Sequence, residues 1–404
     1  MERNCLPNCN KDVVSKFSLI FKRYYFFFLF AGLIIIVLSS YSAQKRNPLF
    51  KMYEIDLTKL PVNENRIAVS RFSSEINYII LEARKESLIG GGVQFFVFDS
   101  LIISCAHRQI LVFNRHDGKF LRSVGEYSQG PQGFSNSLNA FIKNKKIVIN
   151  AVGWKNPLIE YSAEGMILNK IESEKMPRTA AWLAENDYAF YYDKNSIHDS
   201  IRLQIVDTKG NRHISTFYDF REFNNTSRFT FFGAFFYYYN SALYIKEYFN
   251  DTVFQVTKNH LFPYAAFKSG KNSPPFYEKD TFDFVEYHNI QNILETDNFI
   301  FFQLYFRKRG YFCYFDKRTN QVMISNYKNL QINGFENDID GFMPFHPVSL
   351  SNRNELIGFL EPYQIKIWFK ENPDKARKLP QHIQRLNNID EMDNPVVMIV
   401  KLKE

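Results

Sequence analysis

The chain has 404 residues, 45% hydrophobic and 17% aromatic, so it can bury a large core, and its Gly and Pro content is too low for a low-complexity chain. Its formal net charge of +8 is spread out: residues 1–43 carry five basic and two acidic residues, which leaves 45 basic and 40 acidic residues elsewhere. Because a nucleic-acid-binding surface needs clustered lysine and arginine, we expect no nucleic-acid partner.

The first element is an apolar segment at residues 24–38, preceded by three basic residues and followed by small residues. A charged start, an apolar middle and a small-residue exit are typical of a secretory signal peptide. The charge-free run extends over residues 24–44, and its 21 residues would also span a bilayer, for which about 20 suffice. The sequence therefore predicts export to the periplasm or cell envelope, with residues 1–43 acting as a cleaved signal peptide or as a membrane anchor.

Six similar hairpins follow, each built from an apolar run, a polar turn and a second apolar stretch. They lie at residues 110–121, 158–168, 203–214, 252–262, 311–322 and 363–374. A repeat of about 40–50 residues is typical of β-propellers, in which each repeat forms one four-stranded blade. Six copies therefore predict six blades.

Several of the predicted strands are apolar at consecutive positions, for example residues 95–98 and 147–149. An antiparallel strand with one wet face should alternate between apolar and polar residues. These strands are therefore expected to be covered on both faces, which stacked blades provide and a β-sandwich does not. We predict an all-β, six-bladed β-propeller over residues 70–404, preceded by a linker and lead-in at residues 44–69.

The uncharged run at residues 229–245 is nearly long enough for a second membrane span, but Asn240 and Ser241 interrupt it. Two strands joined by a turn at that point are the better interpretation. The two cysteines Cys105 and Cys313 lie far apart, in different strand-like runs. We expect both to be free and to be buried as small apolar residues.

The C-terminal region departs from the repeat. Asn372 and Pro373 are typical of a helix start, and residues 396–400 predict a final strand. A closed ring must pair its two ends to avoid an open sheet edge. We therefore expect a strand at residues 76–81 to complete the blade that begins at the C-terminus.

Several segments carry a resemblance to a known family, at residues 79–82, 87–90, 112–120, 125–134 and 393–398. With them, residues 52–404 resemble a family of bacterial exported proteins, frequent in Bacteroidetes, that form six-bladed β-propellers related to NHL-repeat and TolB-like propellers. The resemblance implies a fold and an export route but no established activity. Family members are often lipoproteins, whereas Tyr41 stands where the lipidated cysteine would be required.

No serine-hydrolase, zinc-protease or phosphate-binding motif is present, so the sequence assigns no catalytic residue, no metal ligand and no cofactor. The acidic turn at residues 337–341 lacks the further ligands of a calcium loop. The remaining binding candidate is the loop at residues 125–134, which has no copy elsewhere in the chain and which is otherwise a connection between two blades. Its candidate residues are Gly125, Gln129, Gly130, Pro131, Gly133 and Phe134.

The expected function is that of an exported, non-catalytic binding module for a protein, peptide or glycan ligand. Two alternatives stay open. A metal-dependent propeller hydrolase or lactonase would need three or four polar side chains converging on the propeller axis. A membrane-anchored sensor domain would need residues 24–44 to be retained, so that the N-terminal segment holds the protein at the membrane.

Overall fold

A computed structural model describes residues 52–404 apart from short gaps. The gaps are residues 107, 129–132, 135, 144, 153–157, 172–176, 185, 193–201, 208–232, 249, 275–283, 330–331 and 404. The apolar segment at residues 24–44 and the predicted signal peptide or anchor at residues 1–43 therefore lie outside the described residues. Within the described part of the chain, no helix combines the length and the apolar character that crossing a bilayer requires.

Six antiparallel sheets form the blades of a β-propeller, as the sequence predicts. The strands of blade 1 are β3 (Gln94–Phe98), β4 (Leu101–Ala106), β5 (Gln109–Asn114) and β6 (Phe120–Ser123). Those of blade 2 are β7 (Asn136–Lys143), β8 (Lys146–Val152), β9 (Leu158–Ser162) and β10 (Ile167–Ile171). The described strands of blade 3 are β11 (Thr179–Ala184), β12 (Asp187–Tyr191) and β13 (Leu203–Asp207).

The next two blades continue the same up-and-down order. The strands of blade 4 are β14 (Ala234–Tyr239), β15 (Ala242–Glu247), β16 (Thr252–Val256) and β17 (Leu261–Lys268). Those of blade 5 are β18 (Asn289–Glu295), β19 (Phe299–Phe306), β20 (Arg309–Asp316) and β21 (Gln321–Ser325). The turn between β14 and β15 lies at Asn240 and Ser241, which confirms the two-strand interpretation of that region.

Blade 6 joins the two ends of the described chain. Its strand order is β24 (Ser349–Leu350), β25 (Glu355–Leu360), β26 (Val396–Leu402) and β2 (Ser73–Ile80). The strand β2 pairs antiparallel with the last strand, with Ile76 opposite Val400. The N-terminal strand therefore completes the blade that the C-terminus begins, as predicted from the need to close the ring.

Residues 52–72 form an N-terminal strap along the outside of three blades. The strand β1 (Tyr53–Asp56) pairs in parallel with β17 as a fifth strand of blade 4. The strap then crosses the outer edge of blade 5, where the Asn65 backbone N–H donates to the Asn326 side chain at 2.6 Å. It ends in the 3₁₀ turn Val69–Arg71, after which the chain enters blade 6.

The sixth predicted hairpin is wrong, because residues 363–374 belong to helices rather than strands. The helix α1 (Pro362–Glu371) begins with a proline and a capping box between Glu361 and Gln364. It buries Ile365, Trp368 and Phe369, a helical spacing that the local alternation of apolar residues obscured.

Short helical turns follow α1 and lead into the last strand. They are α2 (Pro373–Ala376), α3 (Gln381–Gln384) and the 3₁₀ turn Arg385–Asn388. A small hairpin, β22 (Lys328–Asn329) and β23 (Ile332–Asn333), lies between blades 5 and 6 in the chain. The third strand of blade 6 is β26, which takes the place of the hairpin predicted at residues 363–374. The number of blades is therefore still six.

In the part of the chain that the structure describes, the hydrophobic core is divided into six clusters, each between two neighbouring blades. One cluster, for example, packs Ile103 and Val112 of blade 1 against Ile147 and Ile159 of blade 2. Others fill the remaining joints of the ring, and the largest also takes in the helices. Both faces of a blade are therefore covered, which explains the consecutive apolar residues in its strands. Both Cys105 and Cys313 are buried and free, as expected.

Candidate functional site

The first strands of the six blades surround a central cavity of about 520 Å³. Each of these inner strands contributes to the wall, which is mainly apolar and aromatic. Representative wall residues are Phe96, Ile142, Ala181, Tyr238, Asn292 and Leu350. An apolar cavity with few polar groups is the usual setting for a ligand. The propeller axis is therefore the first candidate site.

Side chains of one inner strand cap the backbone of the next. Neighbouring blades share no strand ladder, so the inner strands have free backbone groups that need partners. Ser349 Oγ donates to the Phe95 carbonyl at 2.6 Å, and the Gln94 side chain accepts from the Ala140 N–H at 3.3 Å. The Asn292 amide donates to the Val348 carbonyl at 3.2 Å. These bonds fix the blades around the axis.

A hydrogen bond of the same kind, from a side chain to the backbone of the neighbouring inner strand, joins blades 3 and 4. The Tyr238 hydroxyl donates to the Trp182 carbonyl at 2.9 Å. Burial raises the pKa of this phenol well above its usual value, so the hydroxyl stays protonated and can donate at any physiological pH. Tyr238 is consequently both a wall residue and a structural link.

One end of the cavity opens at the turns between the first and second strands of the blades. We call this opening the mouth; it is a hollow of about 340 Å³. Aromatic and apolar side chains form its inner wall: Phe96, Phe98, Ile142, Tyr238, Tyr239 and Leu350. Polar side chains of three turns form its rim: Asn240, Ser241, Asp297, Ser351, Asn352 and Asn354.

The rim turns are tight, and several of their residues adopt positive φ. The φ angles are 47° at Asn240, 60° at Ser241 and 57° at Asn354, and 51° at Asp99 in the adjacent turn of blade 1. Asn and Asp tolerate this left-handed region better than other residues with side chains, and Asn-containing two-residue turns are typical of hairpins. The turn chemistry therefore places amide and carboxylate groups at the mouth.

Blades 6 and 1 are joined at the rim by a reciprocal pair of hydrogen bonds. The Asn352 amide donates to Asp99 Oδ1 at 2.8 Å, and the Asp99 backbone N–H donates to Asn352 Oδ1 at 3.0 Å. The blade 6 part of the rim is thus held in place before any ligand arrives.

A buried ion pair lies directly beneath the mouth. Glu295 Oε1 lies 2.6 Å from Lys317 Nζ, and both side chains are almost fully buried. The Tyr237 hydroxyl donates to Glu295 at 3.0 Å, and Tyr264 donates to the other carboxylate oxygen. Burial raises the pKa of the Glu295 carboxyl and lowers the pKa of the Lys317 ammonium, while each charge opposes the shift of its partner.

This ion pair also positions the aromatic wall. The Lys317 ammonium lies 3.8 Å from the centre of the Tyr239 ring and donates to the Thr296 carbonyl at 2.7 Å. The Tyr239 hydroxyl in turn donates to Asp297 at 3.1 Å. Glu295 and Lys317 are therefore buried and paired with each other, while Asp297 at the end of this chain of contacts is exposed to solvent.

The loop singled out from the sequence lies between β6 and β7, the connection from blade 1 to blade 2. Phe134 is buried in the cluster between these blades, and its backbone N–H donates to the Glu126 carbonyl at 2.9 Å. Gly125 has a φ of 68°, and Gly133 lies so close to Ser128 that a Cβ would clash. The other three candidates, Gln129, Gly130 and Pro131, lie outside the described residues.

None of the three described loop candidates lines the mouth, the central cavity or the third described cavity, which lies beside α1. The structure places Gly125 and Phe134 in close packing between blades, and binding by this loop stays a prediction. The mouth residues were not identified from the sequence, because they come from separate turns. Their only signal in the sequence was the Asn and Asp content of those turns.

Among the described residues, no cluster of three or more His, Cys, Asp or Glu side chains can hold a metal ion. In the acidic turn at residues 337–341, Asp340 accepts from the Tyr78 hydroxyl at 2.9 Å and from the Asn337 amide at 2.7 Å. That turn thus links β2 to the loop after β23 through hydrogen bonds.

Two solved structures are similar to this chain, and the first of them supports the fold. A candidate exported protein from Bacteroides fragilis NCTC 9343 matches with a TM-score of 0.64 and 15% identity, covering 88% of this chain and all of that one. A protein of unknown function from Bacteroides thetaiotaomicron VPI-5482 matches with a TM-score of 0.44 and 8% identity, covering 81% of this chain and 76% of that one.

No curated protein matches the sequence. Relationship to NHL-repeat or TolB-like propellers stays a prediction. One family profile does match, over residues 52–401, the span of the whole propeller and its strap. The chain therefore belongs to the family described as Domain of unknown function (DUF4934).

Proposed function

We propose that this protein is an exported, non-catalytic binding module that takes a protein, peptide or glycan ligand at the mouth of the propeller. The observation that carries the proposal is the composition of the cavity: inner strands of all six blades line it, and its wall is aromatic beneath a polar rim. Such a combination gives affinity through apolar contact and orientation through a few polar groups.

The hydrogen bonding beneath the mouth favours binding over catalysis. A general acid or base must reach the reacting atom with a proton to give or accept. Here Glu295 is already paired with Lys317 and two tyrosines, and Asp297 accepts from Tyr239. These groups serve to hold the wall in place, which suits recognition of a ligand without chemical change.

Export is the second part of the proposal. The apolar segment at residues 24–44 has the features of a signal peptide or anchor, and the Bacteroides fragilis neighbour is named as a candidate exported protein. Mass spectrometry of the N-terminus of the mature protein tests this directly. A new N-terminus near residue 43 indicates a cleaved signal, an intact one in the membrane fraction indicates an anchor, and an intact soluble protein contradicts export.

The binding role is tested with two sets of probes, an array of oligosaccharides and a displayed peptide library, applied to the full chain. We expect hits whose affinity falls at least about tenfold in Phe98→Ala, which removes one aromatic wall residue from the mouth. The matched control is Tyr305→Ala, since Tyr305 is a half-exposed aromatic residue outside the mouth. An absence of hits in both sets, or hits that Phe98→Ala leaves unchanged, contradicts the proposal.

A further inference from the structure

Resting on the binding role just proposed, we infer that the ligand taken at the mouth is an uncharged oligosaccharide. Three properties of the mouth point to this class: its aromatic wall, a rim whose hydrogen-bonding side chains are uncharged except for Asp297, and the absence of a cation among the described residues that line it. The first two properties favour a sugar, the third argues against anionic ligands, and further contacts argue against cationic and peptide ligands.

The aromatic wall favours a ligand with flat apolar faces. Phe98 and Tyr239 stand at the ends of their strands, next to the rim turns, and both are only partly buried. Phe96 and Tyr238 continue the aromatic surface inward. Sugar rings present C–H faces of this kind together with hydroxyl groups at their edges, so one ligand can satisfy the wall and the rim together.

The rim groups match hydroxyls. The side chains of Asn240, Asn352 and Asn354 each carry both a donor and an acceptor, and Ser241 adds a hydroxyl that does the same. A sugar hydroxyl also donates and accepts, so each can pair with any of these groups. Because the turns are tight and the Asn352–Asp99 pair is already formed, little ordering is needed when the ligand binds.

The charge pattern excludes anionic ligands. No Lys, Arg or His lines the mouth among the described residues. The buried cation Lys317 lies beneath the wall, with its ammonium held by Glu295, the Thr296 carbonyl and the Tyr239 ring. Two further basic residues lie on turns between first and second strands, Lys145 in blade 2 and Arg353 in blade 6, but neither lines the hollow. A sulfate, phosphate or carboxylate would be desolvated there without a partner.

Cationic ligands would also find few carboxylate partners in the mouth. Two carboxylates line the mouth: Glu295 is neutralised by Lys317, and Asp297, which accepts from Tyr239, is exposed on the rim, where solvent and salt screen its charge. A lysine or arginine side chain entering the mouth would therefore lose its hydration and gain at most one shared carboxylate. An uncharged ligand avoids this cost.

A peptide ligand is disfavoured because backbone carbonyl groups of the inner strands already accept hydrogen bonds from side chains. Extended peptides are commonly bound by adding a strand to an open sheet edge, where the backbone supplies the affinity. Here side chains already cap carbonyl groups at that edge: Ser349 caps Phe95, Asn292 caps Val348, and Tyr238 caps Trp182. A glycan needs no strand edge, because its hydroxyls can use the rim side chains.

The experiment compares three probe sets on the full chain by isothermal titration: neutral oligosaccharides, acidic oligosaccharides of the same length, and uncharged peptides. We expect neutral oligosaccharides to bind, with acidic ones at least about tenfold weaker. Asn354→Gly should weaken binding at least about tenfold, because it removes one rim amide while keeping the positive φ of that position. Its thermal unfolding, compared with that of the unchanged chain, verifies the fold.

A gain-of-function variant adds a second readout. Ser241→Lys places a cation on the rim and should bring acidic oligosaccharides to the affinity of neutral ones. Peptides that bind at the mouth while neutral oligosaccharides do not would overturn this inference and leave the binding role standing. Equal binding of neutral and acidic oligosaccharides by the unchanged chain would also overturn it. Binding of none of the three sets would overturn both.

Discussion

Gly125 shows how one residue can be fixed by two separate requirements. It adopts a φ of 68°, and a Cβ built on it would lie 2.8 Å from the Tyr161 hydroxyl and 3.0 Å from the Phe134 ring. A side chain at this position would therefore be strained in the backbone and crowded by two buried rings. The glycine-rich character of this loop has a packing reason, whatever else the loop does.

We expect Gly125→Ala to lower the free energy of unfolding by about 3 kcal/mol, combining left-handed backbone strain with overpacking. Gly341→Ala is the matched control, because Gly341 has a φ of 77° but no atom within 4 Å of its added Cβ. Only the strain, about 1 kcal/mol, should appear there. Urea denaturation measures both values, and equal losses in the two variants would show that crowding by Tyr161 contributes nothing.

His346 should make the protein sensitive to acid. Burial lowers the pKa of this imidazole to about 4, and its Nε2 lies 3.0 Å from the Gln303 amide nitrogen, which suits a neutral ring accepting a hydrogen bond. The unfolded value is about 6.5, so the stabilisation is complete above that pH and is lost as the pH falls through about 4. The size of the effect is at most roughly 3 kcal/mol.

His346→Gln removes this titration and should flatten the loss of stability between pH 6.5 and about 4. Urea denaturation at several pH values measures the difference, and the exposed His116→Gln serves as the control. An unchanged acid dependence in His346→Gln would assign the acid sensitivity to other groups.

At the scale of elements, the strap and β2 decide whether the ring can close. The strand β26 is strongly apolar and pairs with β25 on one side and with β2 on the other. Phe72, at the end of the strap, is fully buried and packs edge-on against Phe301, Tyr314 and Phe335. The N-terminal part of the propeller thus supplies both a strand and a large core side chain.

A chain that begins at residue 84 should therefore aggregate, because it leaves β26 as an open apolar edge. A chain that begins at residue 52 keeps the strap and β2, and is expected to stay monomeric. Size-exclusion chromatography separates the two outcomes. A synthetic peptide of residues 64–83 added during refolding should restore the monomer of the shorter chain, and a shorter chain that is monomeric by itself would refute this account of ring closure.

For the whole molecule, stability comes from joints between blades. Apolar clusters fill the joints, and buried carboxylates add polar links: Tyr188 of blade 3 donates to Glu160 of blade 2, and Tyr191 of blade 3 donates to Glu247 of blade 4 at 3.1 Å. Because every joint depends on both of its blades, the propeller is expected to unfold as one unit.

Removal of divalent cations should leave this unit intact. We expect EDTA to change the melting temperature by no more than about 1 °C. A metal that bound only the folded state would stabilise it by mass action, so its removal would lower the melting temperature by more than this. Differential scanning calorimetry with EDTA, and then with excess calcium, measures this. A fall of several degrees that calcium reverses would favour the metal-dependent hydrolase alternative.

The fold could largely be predicted from the sequence because its determinants are local or periodic. Consecutive apolar residues such as Ile147, Val148 and Ile149 report that both faces of a strand are covered. The turn at Asn240 and Ser241 marks a hairpin by its own residue chemistry. The helix α1 was missed because its apolar residues also satisfy a strand pattern over a short stretch, and only packing against Phe342 and the rest of the core selects the helix.

The candidate site could not be predicted in the same way. Phe98, Asn240, Asp297 and Asn354 belong to four blades and lie far apart in the chain, so no local motif joins them. The sequence by itself determined the repeated strands, the strand that closes the ring and the apolar segment at residues 24–38, since each depends on residue order alone. The sixth hairpin that it predicted is helical, and packing places β26 in that blade instead. Only the tertiary structure decided which turns meet at the mouth and which charges beneath it are already neutralised, because closure of the ring brings them together.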